Sequence, residues 1–139
     1  PPIPEPLGGA ARIVSSLEQY HRIFDLVQSD NNAMLFCQGC VAEMGVDVCE
    51  AIRDIGGCNK IVYVHFRNIR GIPKRFQEVF LDEGDQDMVE AMRTYKEIGF
   101  EGPFMMDHTP RFPNSDSTFW AGRAFAVGYI RALIQAVFR

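Results

Sequence analysis

The sequence predicts an α/β fold in which parallel strands alternate with helices, and three observations carry that prediction. Three short apolar runs, 33–37 (AMLFC), 60–65 (KIVYVH) and 103–107 (PFMMD), are separated by stretches with helical periodicity. The middle run is β-branched and apolar on both faces, which suits a strand covered on both sides better than an alternating surface strand. Each run also ends in a residue that can bind a metal: Cys37, His65 and Asp107, the last followed by His108. Parallel strands bring all three to one end of one sheet, where open α/β sheets and α/β barrels place their chemistry.

Taken in order, Ser15 and Ser16 precede Leu17, with Glu18 and Gln19 placed to close a capping box. Leu17, Tyr20, Phe24 and Val27 recur at helical spacing, so a helix is expected over 17–28, followed by a polar turn at 29–32 and the first strand at 33–37. Residues 39–45, bounded by glycines, read as a loop. Val46, Cys49, Ile52 and Ile55 share one helical face, which Gly56 and Gly57 end. The second strand, 60–65, leads into a loop at 68–73 and a short turn or strand at 76–80. Asp85 opens a helix with the face Met88, Val89, Met92 and Tyr95, ending at Gly99. The third strand follows at 103–106, then a loop to about 116. The last helix, about 119–138, is apolar on more than one side and is expected to be well buried.

The order αβαβαβα implies right-handed crossovers and a parallel sheet. Three or four strands cannot close a (β/α)₈ barrel, which takes eight strands and roughly 250 residues. With 139 residues in the chain, the expected architecture is one partial (β/α) barrel domain over 1–139. Open strand edges and uncovered apolar faces want cover, so a homo-oligomer is expected.

Charge and composition exclude several classes. The formal net charge is −4 and Lys and Arg are scattered, so no basic face recruits nucleic acid or anionic lipid. No apolar run reaches the length of a membrane span. The opening PPIPEPLGG lacks the basic-then-apolar pattern of a signal peptide, so a cytoplasmic location is expected. Cys37, Cys40, Cys49 and Cys58 are then expected to be reduced thiols.

Each candidate ligand has a plain reading on its own. Cys37 alone is a core cysteine, His65 a hydrogen-bonded structural histidine, and Asp107 a cap on the next turn. Thiolate, imidazole and carboxylate together form a ligand set for Mn²⁺, Fe²⁺, Co²⁺ or Zn²⁺ rather than Mg²⁺ or Ca²⁺. Cys37-Gln38-Gly39-Cys40 is also a CxxC, but no second CxxC completes a zinc knuckle. A redox dithiol needs the motif to open a helix, and Gly39 with the loop after it argues against that. Cys37 is therefore favoured as ligand and Cys40 as a loop thiol. His108 beside Asp107 reads as an acid/base next to a ligand, or as part of a polar turn closed by Pro110. Arg67 either clamps a substrate carboxylate or pairs with an acidic neighbour, and Arg12, Arg111 and Arg123 are open to the same two readings. His21, on the first helix, is expected to be solvated.

These residues and their surroundings resemble the C-terminal part of mannonate dehydratase, a family of metal-dependent enzymes in the xylose-isomerase-like group of (β/α)₈ barrels. The resemblance is carried by PPIPEPLGGAARIVSSLEQ, FCQGC, IVYVHFRN, GDQDM, MMDH and the GRA near the start of the last helix, and covers essentially the whole chain. It implies dehydration of D-mannonate to 2-keto-3-deoxy-D-gluconate in hexuronate breakdown, with Mn²⁺ or Fe²⁺ as cofactor and a small sugar acid as partner. By residue, it implies Cys37, His65 and Asp107 as metal ligands, His108 as acid/base and Arg67 as a substrate-carboxylate contact. Two features of the family's pattern are not in this sequence. One is the His of an HPDDPP motif, of which this chain carries only the final PP. The other is a Tyr in a Gly-Tyr pair before the last helix, where this chain has Ser117-Thr118-Phe119-Trp120. The isolated chain is thus expected to be inactive or impaired, with its metal present or absent. The alternatives are a related metal-dependent sugar isomerase or epimerase, or a non-catalytic half-barrel that self-associates.

Overall fold

The computed structural model describes residues 6, 8–112 and 120–139. Ser16 caps α1 (Leu17–Leu26) by accepting the Gln19 amide at 3.3 Å, and Gln19 Oε1 accepts the Ser15 amide at 2.6 Å. The reciprocal pair is a capping box displaced outward by one residue. Asn32, in the turn that follows, donates to the carbonyls of Ile23 and Val27, both at 3.0 Å, and so closes the end of the helix.

Three strands form one parallel sheet: β1 (Met34–Cys37), β2 (Ile61–His65) and β5 (Phe104–Met105), with β2 in the middle. The register pairs Cys37 with His65 and His65 with Met105, so the strand ends are level. The ladder runs one step further, since the Phe66 amide donates to the Met105 carbonyl at 2.7 Å. Alternating strands and helices around this sheet make an open, incomplete (β/α) barrel, as the order of elements predicts.

The crossover from β1 to β2 contains α2 (Gln38–Glu43) and α3 (Val48–Gly57), and the one into β5 contains α4 (Met88–Glu97). Asp47 and Asp87 cap α3 and α4 with carboxylates that accept first-turn amides. α3 packs on α4, and α4 on α5 (Trp120–Phe138). Tyr95 of α4 is fully buried and makes ring contacts with Phe36, Phe66, Phe100 and Phe104, joining helix to sheet. Its hydroxyl donates to Gln38 Oε1 at 3.4 Å, and Gln38 Nε2 donates to Met88 Sδ at 3.0 Å, so the buried amide is satisfied.

Three local expectations are corrected. Residues 39–45 are not all loop, because α2 occupies Gln38–Glu43. Gly39 breaks nothing there: a Cβ at this position would collide with Arg67 Nε, so glycine serves close packing. Residues 68–73 are not a loop either. β3 (Ile69–Ile72) pairs antiparallel with β4 (Arg75–Glu78). Gly71 and Pro73 read as breakers, but Pro73 lies in the hairpin turn and Gly71 (φ 117°) abuts the Arg75 carbonyl, where no Cβ fits. The last helix is also less buried than expected. Only Gly122, Ala126 and Ile130 are buried on α5, while Trp120 is 66% and Val127 45% exposed. α5 meets the rest of the described chain on one side only. No helix among the described residues is long and apolar enough to cross a membrane.

Tyr95→Ala removes the ring shared by sheet and helix. It is expected to cost about 3–5 kcal/mol of stability, read from the midpoint shift in urea unfolding.

Candidate metal centre

The level strand ends place the three predicted ligands together. Cys37 is the last residue of β1, His65 the last of β2, and Asp107 lies just beyond β5. Asp107 has φ 66°, a left-handed conformation that a non-glycine residue holds only under constraint. It turns the carboxylate back over the sheet end, with Oδ1 at 3.5 Å from His65 Nδ1. One donor atom from each of Cys37, His65 and Asp107 lies within 4.8 Å of the others. Ligand atoms bound at about 2.0–2.3 Å to a first-row ion stand roughly 3–4.5 Å apart. Sulfur, nitrogen and oxygen donors at this spacing therefore fit one transition-metal ion after small side-chain movements.

A buried guanidinium lies behind the donors. The Arg67 amide donates to the His65 carbonyl at 3.0 Å, a tight turn that swings the side chain inward at the end of β2. Its Nη2 donates to Glu43 Oε1 at 2.8 Å and Cys40 Sγ at 3.3 Å. Its Nη1 meets Glu78 Oε1 at 2.5 Å, His108 Nε2 at 2.9 Å and Asp107 Oδ2 at 3.6 Å. Arg67, expected at a substrate carboxylate, thus has both terminal nitrogens engaged by the protein. Burial disfavours its charge, but Cys37, Cys40, Glu43 and Glu78 together hold its pKa above the ordinary value. Burial also pushes the Glu43 carboxyl up, against the pull of Arg67.

His108 sits over this cluster, half exposed. Its Nδ1 lies 2.7 Å from Glu78 Oε2, and its Nε2 is 3.2 Å from Asp107 Oδ2. Glu78 on β4 thereby links Arg67 and His108 with its two carboxylate oxygens. Neither Glu43 nor Glu78 belongs to a motif, and the sequence pattern reads Glu43 as loop and Glu78 as turn or strand. Alternation in RFQE, once paired with β3, was the available signal for Glu78.

The CxxC opens a helix after all, with Cys37 at the N-cap position and Cys40 in the first turn of α2. Cys40 is therefore a helix thiol rather than a loop thiol. Its hydrogen bond to the Cys37 sulfur is the main reason that the Cys37 thiol is lowered to about 6; burial opposes the shift and the Arg67 charge adds to it. The same bond raises Cys40. Thiolate is the form of Cys37 that a metal takes, so a lowered thiol favours loading at neutral pH. All four cysteines are free. His21 is not simply solvated: its Nε2 pairs with Asp54 on α3 at 2.8 Å.

Strand order and the donors at the strand ends define the class, an open part of a (β/α) barrel with a candidate metal site at its strand ends. A xylose isomerase domain protein from Planctomyces limnophilus shares the fold, with TM-score 0.71 and 21% identity over 86% of this chain and 44% of that one. Residues 1–139 match the family described as D-mannonate dehydratase (UxuA), and the chain belongs to that family. Mannonate dehydratase 2 of Halalkalibacterium halodurans is 38% identical over 72% of this chain and 30% of its own length. Mannonate dehydratase of Enterococcus faecalis is 33% identical over 92% and 37% respectively. The crystal structure of mannonate dehydratase from Streptococcus suis serotype 2 superposes with TM-score 0.88 at 25% identity, over 98% of this chain and 41% of that one. The chain thus spans well under half the length of these relatives. Ser117-Thr118-Phe119, where the family resemblance leads one to look for a Gly-Tyr pair, lies outside the described residues.

Cys40→Ala removes the hydrogen bond that favours the Cys37 thiolate. In the metal-free chain, the Cys37 titration followed by thiolate absorbance is expected to move up from about 6 toward the ordinary thiol range.

Proposed function

We propose that this chain carries the C-terminal share of the active site of a mannonate-dehydratase-like hydro-lyase. The observation that carries the reading is the convergence of one sulfur, one nitrogen and one oxygen donor within 4.8 Å at the strand ends. Cys37, His65 and Asp107 would hold a divalent Mn²⁺ or Fe²⁺, and membership of the family supports D-mannonate as substrate. When bound, such an ion supplies Lewis-acid polarisation of the sugar acid's oxygens.

The chain's own residues supply positioning and proton transfer. Dehydration to 2-keto-3-deoxy-D-gluconate removes the proton beside the carboxylate and the hydroxyl on the next carbon, which leave together as water. The resulting enol gains a proton on the carbon that lost the hydroxyl and gives up its own O–H proton to become the ketone. His108 is the acid/base of this scheme: it is half exposed, next to Asp107, and held from behind by Glu78. Arg67 fixes Glu78, His108 and Asp107 relative to one another, and its Nη1 side faces the centre.

Metal analysis with mannonate turnover tests the reading, on this chain and on one extended upstream through the family's HPDDPP motif. The extended form is expected to turn over mannonate and this chain little or none; an extended form that loads metal yet leaves mannonate untouched sinks the assignment. Cys37→Ser, His65→Ala and Asp107→Asn are each expected to weaken Mn²⁺ binding by about 100-fold or more, since even outer contacts are worth about 10–100-fold.

A second reading, a non-catalytic half-barrel that self-associates, is favoured by the exposed apolar residues of α5, with Trp120 66% and Val127 45% exposed. Sedimentation equilibrium is expected to show a homo-oligomer that Trp120→Glu with Val127→Glu dissociates. A monodisperse monomer of the unmodified chain counts against it.

A further inference from the structure

We propose that Arg12 grips the carboxylate of the substrate at this site. The identity of the ligand rests on the sugar-acid reading above; the choice of residue rests on geometry. Arg12 Nε and Nη2 are buried and have no hydrogen-bond partner among the described residues. These two atoms form one edge of the guanidinium, the edge that offers two parallel N–H bonds to a carboxylate. A guanidinium with two buried donors unmet is costly, and an anion arriving there relieves that cost.

The surroundings of Arg12 fit a ligand. It lines a cavity of about 430 Å³ whose walls include Tyr20, Met34, Cys37 and Cys40. That size falls in the roughly 300–1,000 Å³ range of small-molecule sites. No Asp or Glu is among the described residues that line it. Cys37 belongs both to this wall and to the cluster of metal donors, so the cavity adjoins the centre. Arg67, the other cation at the site, is already committed. Its Nη1 and Nη2 are bonded to Glu78, His108, Glu43 and Cys40, and its Nε, itself without a partner among the described residues, lies against Gly39. One arginine therefore organises protein carboxylates, and the other lines the cavity that Cys37 shares, with both donors of one guanidinium edge unpartnered among the described residues.

The test is calorimetric binding to the 139-residue chain, metal-free and Mn²⁺-loaded, with D-mannonate, D-mannitol (the same carbon chain without the carboxylate) and acetate as probes. The unmodified chain is expected to bind mannonate at least about tenfold more tightly than mannitol. Arg12→Gln is expected to lose that preference while keeping the circular dichroism spectrum and the Mn²⁺ affinity of the parent. Arg12→Lys, which keeps the charge but not the paired N–H edge, is expected to fall between the two. Mannonate binding equal in Arg12→Gln and the parent overturns the role of Arg12 and leaves the sugar-acid reading standing. Arg12-dependent binding of acetate with none of mannonate keeps the carboxylate contact and overturns the sugar acid. A parent chain that takes up Mn²⁺ but none of the carboxylates overturns the inference outright.

Discussion

The buried guanidinium of Arg67 is the constraint on which the rest of the site depends. It reaches Glu43 and Cys40 on α2, Glu78 on β4, and Asp107 and His108 beyond β5, so three separate segments meet on one planar group. A lone buried charge is strongly unfavourable, and only partners with good geometry offset the loss of water. That requirement explains otherwise odd local choices. Gly39 is small because the guanidinium lies against it, and two glutamates occupy positions where the surface pattern asked for nothing special. The arrangement is a set of outer contacts to the candidate ligands, and such contacts decide how ligand side chains are oriented.

The antiparallel hairpin gains meaning in the same frame. β3 and β4 are an insertion on the parallel scheme, and their effect is to carry Glu78 back over the end of the sheet. Asn68, fully buried at the root of the hairpin, holds the return path. Its Nδ2 donates to the Leu81 and Gln86 carbonyls, and its Oδ1 accepts the Ile69 and Gln86 amides. The chain between hairpin and α4 is thereby tied to β2, and the position of Glu78 does not depend on a free loop. Asp107 is fixed from the other side by its left-handed backbone. Strain of that kind persists only where surrounding contacts hold it, and here the contacts are Arg67, His65 and His108.

The Arg12 cavity lies beside Cys37 at the end of β1, and α5 keeps apolar residues in solvent. The relatives are much longer than this chain, and the share covered here contains the donors, the acid/base candidate and the organising arginine.

Much of this was legible in the sequence because it is written in periodicity and position. Apolar runs, capping residues and the period of the helix faces define α1, α3, α4 and the three parallel strands. Once those strands are parallel, Cys37, His65 and Asp107 must come to one end, since register follows from strand length. The α2 helix and the β3–β4 hairpin were not legible, because Gly39, Gly71 and Pro73 signal breaks unless one knows which atoms lie against them. The apolar pattern of α5 overstates its burial for a related reason: it says that a face wants cover, not that cover is present. The two arginines show the division most plainly. Sequence alone left Arg12 and Arg67 open to the same two readings, because a guanidinium's role is set by what meets its nitrogens. Only the tertiary structure decided that Arg67 is held by Glu43 and Glu78 while Arg12 keeps a buried edge without a partner among the described residues. Local pattern determines the elements and the level at which they end; long-range packing determines which charges find one another.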